Sequence, residues 1–261
     1  MPQSQPYPGT QAVQRALSLL KAFSDEQPDM SLDDLARQAQ LNKTTAFRLL
    51  TALESEGLVA RTPNAETYRL GPEIVVLGAR ALRANDLRSA GRDELERLAQ
   101  ATRETVTLEV LLEGDVLILD EVLSSYLLGA TQSLGTRWPA YATSTGKALL
   151  AFLPASGLEE HLSLPLQPFT PHTITDLDRL KEELACIRRE GYAVARAELE
   201  EDYVAVGAPI FNYDSRVVAA ISAAGPANRL TPERVAGLIP LVCRSAEKIS
   251  KRLGYSGPET G

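Results

Sequence analysis

The sequence predicts an α+β protein with an N-terminal winged helix-turn-helix and a larger C-terminal α/β sandwich. The first observation is a pair of short amphipathic helix patterns separated by a tight turn within residues 31–56. The second is a pair of short strand patterns that follows them directly. The third is a series of five or six strand patterns, interleaved with amphipathic helices, between residues 105 and 252. Strands and helices mixed in this way typically form a sheet covered by helices.

The helix-turn-helix is predicted from capping residues and from the spacing of apolar side chains. A first helix runs from about residue 10 to residue 24, ahead of the pair. Ser31 suits the N-cap of one helix, Asn42 suits the N-cap of the next, and Gly57 is a natural C-terminal stop. Gln40 and Leu41 break the pattern between the two helices. The buried stripe of the second helix is expected to consist of Ala46, Phe47, Leu49, Leu50 and Leu53.

The opposite face of that second helix is basic at its N-terminal end, as expected of a helix that enters the major groove of DNA. Lysine and arginine there can pair with phosphates or guanine, and threonine can contact phosphates, bases or a thymine methyl group. The strand patterns at 58–61 and 67–70 predict a two-stranded wing beside the DNA backbone. An ordinary helical hairpin with a solvated outer face remains the alternative. The expected DNA contacts are Lys43, Thr44, Thr45, Arg48, Arg61, Tyr68 and Arg69.

Composition and charge exclude several classes of protein. The formal net charge is −7, so most of the acidic residues are expected away from the DNA-binding face. The two cysteines, Cys186 and Cys243, and the two histidines, His161 and His172, form no metal-ligand pattern and no disulfide framework. No apolar run reaches transmembrane length, and the N-terminus has no signal-peptide pattern. We therefore expect a cytoplasmic protein without a metal or other cofactor.

The domain boundary is expected near residues 85–89. A helix pattern after Gly71 is apolar on more than one side, so it is interpreted as a linker or dimer helix. Packing against its own domain is the equally open alternative. The predicted organisation is a disordered tail at 1–9, the winged domain at 10–71, the linker helix at 72–88 and the C-terminal domain at 89–261.

The C-terminal region predicts a sandwich of mostly antiparallel strands with flanking helices. Such a domain typically holds a small molecule between its sheet and its helices. A hairpin is predicted around Glu113, Gly114 and Asp115. Strands are expected at 105–112, 116–122, 127–134, 192–197, 203–211 and 217–224, and helices at 144–152, 175–190 and 231–252.

Two stretches of the C-terminal region carry a family resemblance. They are GTRWPAYATSTGKALLAFLP at 135–154 and GYAVARAELEEDYVAVGAPIFN at 191–212. Together with the winged helix-turn-helix, they resemble the IclR family of bacterial transcription regulators. The resemblance implies a GAF-like effector-binding domain, a linker helix, and dimers that are often paired into tetramers. It also implies effectors that are commonly small organic or aromatic acids.

The resemblance also implies an effector pocket whose wall is the turn and helix start after Tyr141. Backbone N–H groups at such a helix start can receive a carboxylate. Ser222 matches a serine that touches the ligand in relatives. The family often has cysteine where this chain has Ala205, and acids where it has Ala195 and Arg196. A binding mode that uses the cysteine or the acidic side chains is therefore not expected here. The implied effector contacts are Leu128, Ala130, Tyr141, Ser144, Thr145, Gly146, Ala205 and Ser222.

Two arginines are candidates for the charge that would hold an anionic effector. Arg196 stands where relatives have an acid, and Arg137 precedes the predicted helix start. We expect one of them to face the effector, and the alternative is that both are surface arginines paired with acids such as Glu198 or Glu200. Calorimetry on alanine variants separates the two interpretations.

The sequence as a whole predicts a ligand-responsive regulator that binds an operator in double-stranded DNA as a homodimer or homotetramer. Its effector is expected to be a small organic acid, and its targets are expected to be catabolic genes. One alternative is a small-molecule sensor that acts through protein–protein contact. Another is an enzyme, which is disfavoured because the sequence offers no nucleophile motif and no metal cluster. The choice between repressor and activator stays open.

Overall fold

The computed structural model describes residues 10–62, 66–124, 134–154 and 157–257. Contacts along the chain divide it into two compact units, Met1–Ala84 and Asn85–Gly261. Leu128 and Ala130, and nearly all of the strand predicted at 127–134, lie outside the described residues. Within the described ranges, no helix has the length and apolar character needed to cross a membrane.

The first unit is a winged helix-turn-helix followed by one further helix. Its strands form an antiparallel sheet in the order β1-β3-β2, so a short strand before the helix pair joins the wing. The first helix ends at Leu20 instead of Ser24, because the Ser24 and Gln27 backbones bond to each other and close a turn. The elements are α1 (Gln11–Leu20), β1 (Met30–Ser31), α2 (Leu32–Gln38), α3 (Lys43–Ser55), β2 (Val59–Arg61), β3 (Thr67–Leu70) and α4 (Pro72–Arg83).

The predicted helix caps are confirmed. The Ser31 side chain accepts a hydrogen bond from the Asp34 N–H at 3.2 Å, and the Asn42 side chain accepts one from the Thr45 N–H at 2.8 Å. Gln40, with φ of 54°, turns the chain between α2 and α3. The predicted stripe of α3 holds except at Phe47, whose side chain is 44% exposed. Phe47 therefore belongs to the outer face of α3, although its apolar character favoured the core.

The second unit is a six-stranded antiparallel sheet with helices on both faces, which confirms the predicted sandwich. The strand order is β6-β5-β4-β9-β8-β7. Helices α5 and α8 cover one face, and α6 and α7 cover the other. The elements are α5 (Asp86–Thr102), β4 (Thr105–Leu112), β5 (Asp115–Val122), β6 (Arg137–Pro139), α6 (Ser144–Leu150), α7 (Leu177–Glu190), β7 (Ala193–Arg196), β8 (Tyr203–Phe211), β9 (Val217–Pro226) and α8 (Pro232–Arg252).

Alternation along the strands decides which side chains reach α6. Ile221 and Leu108 belong to the core beneath α5 and α8. Their neighbours Ser222 and Glu109 point to the opposite face, because successive side chains of a strand alternate. Ala205 of β8 is on this second face as well, so three strands bring these side chains together opposite the start of α6.

Two local expectations differ from the structure. Residues 137–139 form an edge strand, with Trp138 opposite Val116 of β5, which is not among the predicted strands. The helix predicted at 175–190 begins at Leu177, because Asp176 is its N-cap and the Asp176 carboxylate accepts the Arg179 N–H at 2.8 Å. Neither difference changes the architecture.

Candidate nucleic-acid interface and ligand hollow

The N-terminal end of α3 presents the basic residues that the sequence singled out. Lys43, Thr44 and Arg48 are exposed, and Thr45 is half-buried beside the cap. The Lys43 ammonium lies 2.7 Å from the Asp33 carboxylate of α2, and both side chains are more than half exposed. Such a surface pair stabilises a protein by at most about 1 kcal/mol, so a phosphate could take the place of the acid. Arg48 has no ion-pair partner within the described part of the chain.

Arg61 of the wing is held against α3. Its Nε lies 3.1 Å from Glu54, and its guanidinium carbon lies 5.7 Å from the centre of the Phe47 ring and 5.2 Å from that of Tyr68. Cation–π contacts of this kind favour a fixed guanidinium position. Tyr68 itself is only 4% exposed, so its ring supports the wing from inside and does not form part of the outer face, contrary to expectation.

Arg69, the other basic residue of the wing, pairs with Asp29. Two of its nitrogens lie 2.9 Å and 3.1 Å from the two oxygens of that carboxylate, and Thr62 donates a third bond at 3.0 Å. The hydrogen bonds from Arg69 and Thr62 lower the pKa of Asp29. Arg69 therefore ties the wing to the loop before β1, and its role as a DNA contact stays a prediction.

The second unit contains a hollow between the start of α6 and the sheet, which we call the α6 hollow. It encloses about 40 Å³, more than the roughly 10–15 Å³ that one water molecule needs. A Cβ on Gly207 of β8 would lie 2.8 Å from the backbone carbon of Ser144, so glycine allows α6 to begin directly on the sheet. Four of the predicted effector contacts line the hollow: Ser144, Thr145, Ala205 and Ser222.

Two other predicted contacts are structural. A Cβ on Gly146 would lie 2.1 Å from the carbonyl oxygen of Ala140, so this glycine permits close packing within the turn. The Tyr141 hydroxyl donates to the carbonyl oxygen of Gln167 at 2.8 Å and accepts from its N–H at 3.0 Å. Burial raises the pKa of Tyr141. Neither residue lines the α6 hollow.

Neither of the two candidate arginines lines the α6 hollow. Arg137 is bound at the β4–β5 hairpin, where its guanidinium lies 3.3 Å from Asp115 and 3.5 Å from Glu113 and donates to the carbonyl oxygen of Leu112. Arg196 is exposed at the end of β7 and lines a different surface depression. Strand alternation directs Arg196 away from the α6 hollow, and the hairpin acids hold Arg137 away from it.

Glu109 is a residue of the hollow that sequence reasoning missed. It is buried, and its two carboxyl oxygens accept hydrogen bonds from Thr107 and Thr145, each at 2.5 Å. Burial raises its pKa, against the effect of the two threonine bonds. A lone glutamate within the apolar strand pattern TVTLEVLL was the signal that could have identified it.

A buried lysine lies beside the hollow. Lys147 of α6 is 0% exposed, and its Nζ lies 2.7 Å from Glu198, 3.1 Å from Glu183 and 3.1 Å from the carbonyl oxygen of Val194. An ammonium group has three N–H donors, so this geometry uses all of them. Burial raises the pKa of Glu198, and the charge of Lys147 partly offsets that effect. In the sequence, Lys147 could have been recognised as a buried charge because it is the charged residue inside the apolar pattern of α6.

Three residues that line the hollow each have a buried polar atom without a hydrogen-bond partner among the described residues. The atoms are Oε2 of Glu198, Nε1 of Trp138 and the hydroxyl oxygen of Tyr203. Burial raises the pKa of Tyr203. Leaving a buried polar atom unpaired costs about 1–3 kcal/mol, so this part of the second unit is less well satisfied than a typical core. No cluster of three or more His, Cys, Asp or Glu able to hold a metal ion occurs among the described residues.

Comparison with known proteins gives a consistent result over both units. Residues 79–251 match the family described as bacterial transcriptional regulator IclR C-terminal, and residues 12–63 match the IclR helix-turn-helix domain. The transcriptional repressor IclR of Escherichia coli is 30% identical over 250 residues, which are 95% of this chain and 90% of the repressor.

Two crystal structures extend the comparison to the fold. An IclR transcriptional regulator from Alicyclobacillus acidocaldarius has a TM-score of 0.84 at 29% identity, covering 95% of this chain and 99% of its own. An IclR homologue from Microbacterium hydrocarbonoxydans, complexed with 4-hydroxybenzoate, has a TM-score of 0.80 at 28% identity, covering 93% of this chain and 98% of its own.

Proposed function

Because the chain belongs to the IclR family of bacterial transcription regulators, we propose that it binds an operator through α3. We also propose that a small molecule in the α6 hollow raises or lowers its affinity for that operator. The chain is a transcription regulator and not an enzyme. Operator binding is supported above all by the basic, exposed start of α3, where Arg48 has no acidic partner within the described residues.

The operator contacts divide into positioning and reading. Lys43 neutralises a phosphate after leaving Asp33, because a surface ion pair costs little to exchange. Arg48 and Thr44 read base edges in the major groove, and Thr45 supports them from the half-buried side of the helix. Arg61 and Arg69 place the wing along the backbone while they stay bound to their acids.

A second copy of the chain is part of the proposal. Helix α4 buries none of its residues, and Val75, Val76 and Leu77 expose between 38% and 73% of their surface. An apolar helix face left open in one chain is well suited to the same face of another copy in a two-fold dimer. Two recognition helices in such a dimer would enter successive major grooves of a near-palindromic operator. Pairing of dimers would give the tetramer that the sequence also predicted.

The hollow is the proposed effector site. Its position between sheet and helix and the 4-hydroxybenzoate bound to one homologue support a small organic effector. The more specific prediction of an organic or aromatic acid, controlling catabolic genes in the bacterial cytoplasm, stays a prediction. Effector and operator must each change the affinity for the other by the same factor.

Binding of the purified chain to its own upstream DNA tests the proposal. Fluorescence anisotropy with that duplex, over a range of salt concentrations, should show tight binding whose logarithm falls linearly with the logarithm of salt. An unrelated duplex of equal length should bind more weakly. Absence of binding even at low salt would refute DNA binding and would favour a sensor that acts through protein contacts.

A further inference from the structure

We propose that Phe47 is a sequence-reading residue of α3, and that its ring contacts the methyl group of one thymine in each half of the operator. The inference rests on the proposed function, because it adds a residue and a base to the same DNA-binding surface. Three features of the first unit support it: the exposure of the ring, its place on the helix, and the arginine that lies over it.

The Phe47 side chain is not used by the core of the first unit. It is 44% exposed, whereas Ala46 and Leu50 of the same helix are completely buried. Among the described residues, Phe47 does not belong to the cluster of apolar side chains that packs around Leu50. Single exposed apolar residues are common on protein surfaces, so the meaning of this one depends on where its ring lies.

The ring lies on the part of α3 that would lead into the major groove. An α-helix turns about 100° per residue, so Phe47 lies between Lys43 and Thr44 around the helix axis. Lys43 and Phe47 also line the same surface depression between α3 and the wing. A recognition helix contacts base edges with its N-terminal residues, and Phe47 is the only aromatic residue of this helix.

Arg61 of the wing restricts the movement of the ring. Its guanidinium carbon lies 5.7 Å from the centre of the Phe47 ring and 5.2 Å from that of Tyr68, and its Nε lies 3.1 Å from Glu54. The guanidinium group is thus fixed by three neighbours. A side chain that is already ordered loses less entropy on binding than a mobile one. The 44% exposure of Phe47 is what remains free for such binding after this contact.

A phenyl ring can read only one kind of group in the major groove. It has no hydrogen-bond donor or acceptor, and the apolar group on the major-groove edges of the base pairs is the C5-methyl of thymine. Phosphates and polar base edges are better matched by lysine, arginine and threonine. Phe47 therefore adds a preference for thymine at one position of each half-site, which Lys43 and Arg48 cannot supply.

Replacing thymine by uracil tests the proposal, because the exchange removes the methyl group and keeps the base pair. The full chain is titrated by fluorescence anisotropy with its operator, located by footprinting within its own upstream DNA. Further duplexes carry uracil at one symmetry-related pair of thymines at a time. We expect one such pair to weaken binding about tenfold, since burial of each methyl group contributes about three- to fourfold. A loss of less than about twofold at every pair would overturn the proposal.

The variant Phe47→Ala assigns the methyl contact to its residue. It should bind the unmodified operator about tenfold more weakly than the parent, and uracil at the sensitive pair should not weaken it further. Such a double-mutant cycle isolates the interaction between ring and methyl group. The salt concentration is kept low enough for both proteins to bind. An equal loss from uracil in both proteins would assign the methyl contact to another side chain, such as Thr44, and would contradict the proposal.

Phe169→Ala is the matched control. Phe169 belongs to the second unit and is 46% exposed, so the variant removes an equally exposed phenyl ring from the other unit. It should leave the affinity for both duplexes unchanged.

Thermal unfolding followed by circular dichroism separates binding from a structural role of Phe47. Because the ring lies outside the core, Phe47→Ala should unfold within about 4 °C of the parent. A larger fall, with the sensitivity to uracil retained, would assign the ring to support of the wing and count against the proposal.

Operator binding by the parent distinguishes failure of this inference from failure of the proposed function. If the parent ignores its operator even at low salt, the DNA-binding function is wrong and the role of Phe47 falls with it. If the parent binds its operator but no thymine pair depends on Phe47, only the role of Phe47 is wrong.

Discussion

The two units of this protein use charged residues in opposite ways. In the N-terminal unit, the pairs Lys43–Asp33 and Arg69–Asp29 have both partners substantially exposed. In the C-terminal unit, each main pair has one partner that is almost completely buried: Lys147 with Glu198, Glu104 with Arg229 and Arg234, and Asp120 with Arg88 and Arg92.

The difference teaches which charges are available for binding. Exposed pairs contribute about 0–1 kcal/mol and exchange readily, so their cations can be transferred to DNA phosphates. A buried pair cannot lose one partner without leaving an uncompensated charge, which costs several kcal/mol. We therefore expect charge substitutions in the first unit to change DNA affinity, and those at buried pairs of the second unit to change stability.

The largest expected effect is on the buried lysine. Lys147→Met removes the cation that Glu198 and Glu183 share, so the second unit should lose about 3–5 kcal/mol in its free energy of unfolding. Urea denaturation followed by fluorescence measures this, because Trp138 is the only tryptophan and lies in the second unit.

Lys181→Met is the matched control for that substitution. Lys181 is on α7 and pairs with Glu159 at 3.3 Å, with both side chains exposed, so the loss should stay below about 1 kcal/mol. Similar losses in the two variants would show that burial does not distinguish these pairs.

The next largest effect is expected for DNA binding through α3. Arg48→Ala should weaken operator binding by about 1–3 kcal/mol if its guanidinium reads a base edge, and should affect an unrelated duplex less. Arg37→Ala on α2 is the control, because Arg37 is exposed and pairs with Asp34. Equal losses on operator and unrelated DNA would place Arg48 on a phosphate and not on a base.

Local sequence signals predicted most of the first unit. Ser31 and Asn42 identify the starts of their helices, because a cap bond joins residues only three positions apart and is therefore recognisable in the sequence. Phe47 and Tyr68 were harder. An aromatic residue suits either a core or an outer face, and only the exposures in the folded chain, 44% for Phe47 and 4% for Tyr68, show which one each residue occupies.

The candidate ligand site was predictable only in part. Ser144, Thr145, Ala205 and Ser222 followed from motif resemblance, and strand alternation places them together. Glu109 and Glu198 were missed as parts of the hollow because their significance depends on contacts with Thr145 and Lys147, 36 and 51 residues away. Periodicity says which face a residue occupies, but it does not say which distant side chain shares that face.

A smaller effect with the opposite sign is expected at Asp33. This carboxylate holds Lys43 and adds negative charge near the expected DNA path, so Asp33→Asn should strengthen operator binding, by at most about 1 kcal/mol. In a Lys43→Ala background the gain should shrink, because a double-mutant cycle isolates the part transmitted through the pair. Asp178→Asn, which makes the same charge change in the other unit, should leave DNA affinity unchanged.

The smallest effect is expected for Arg137 and Arg196, which the sequence suggested as contacts for an anionic effector. Arg196→Ala should leave any calorimetric affinity for 4-hydroxybenzoate unchanged, because Arg196 is exposed outside the α6 hollow. Arg137→Ala should also leave it unchanged, although loss of the contacts with Asp115 and Glu113 would loosen the hairpin slightly. A tenfold or larger drop in ligand affinity in either variant would mean that a surface charge of the second unit contributes to ligand binding. The contrast between exchangeable and fixed charges would then no longer separate the two units.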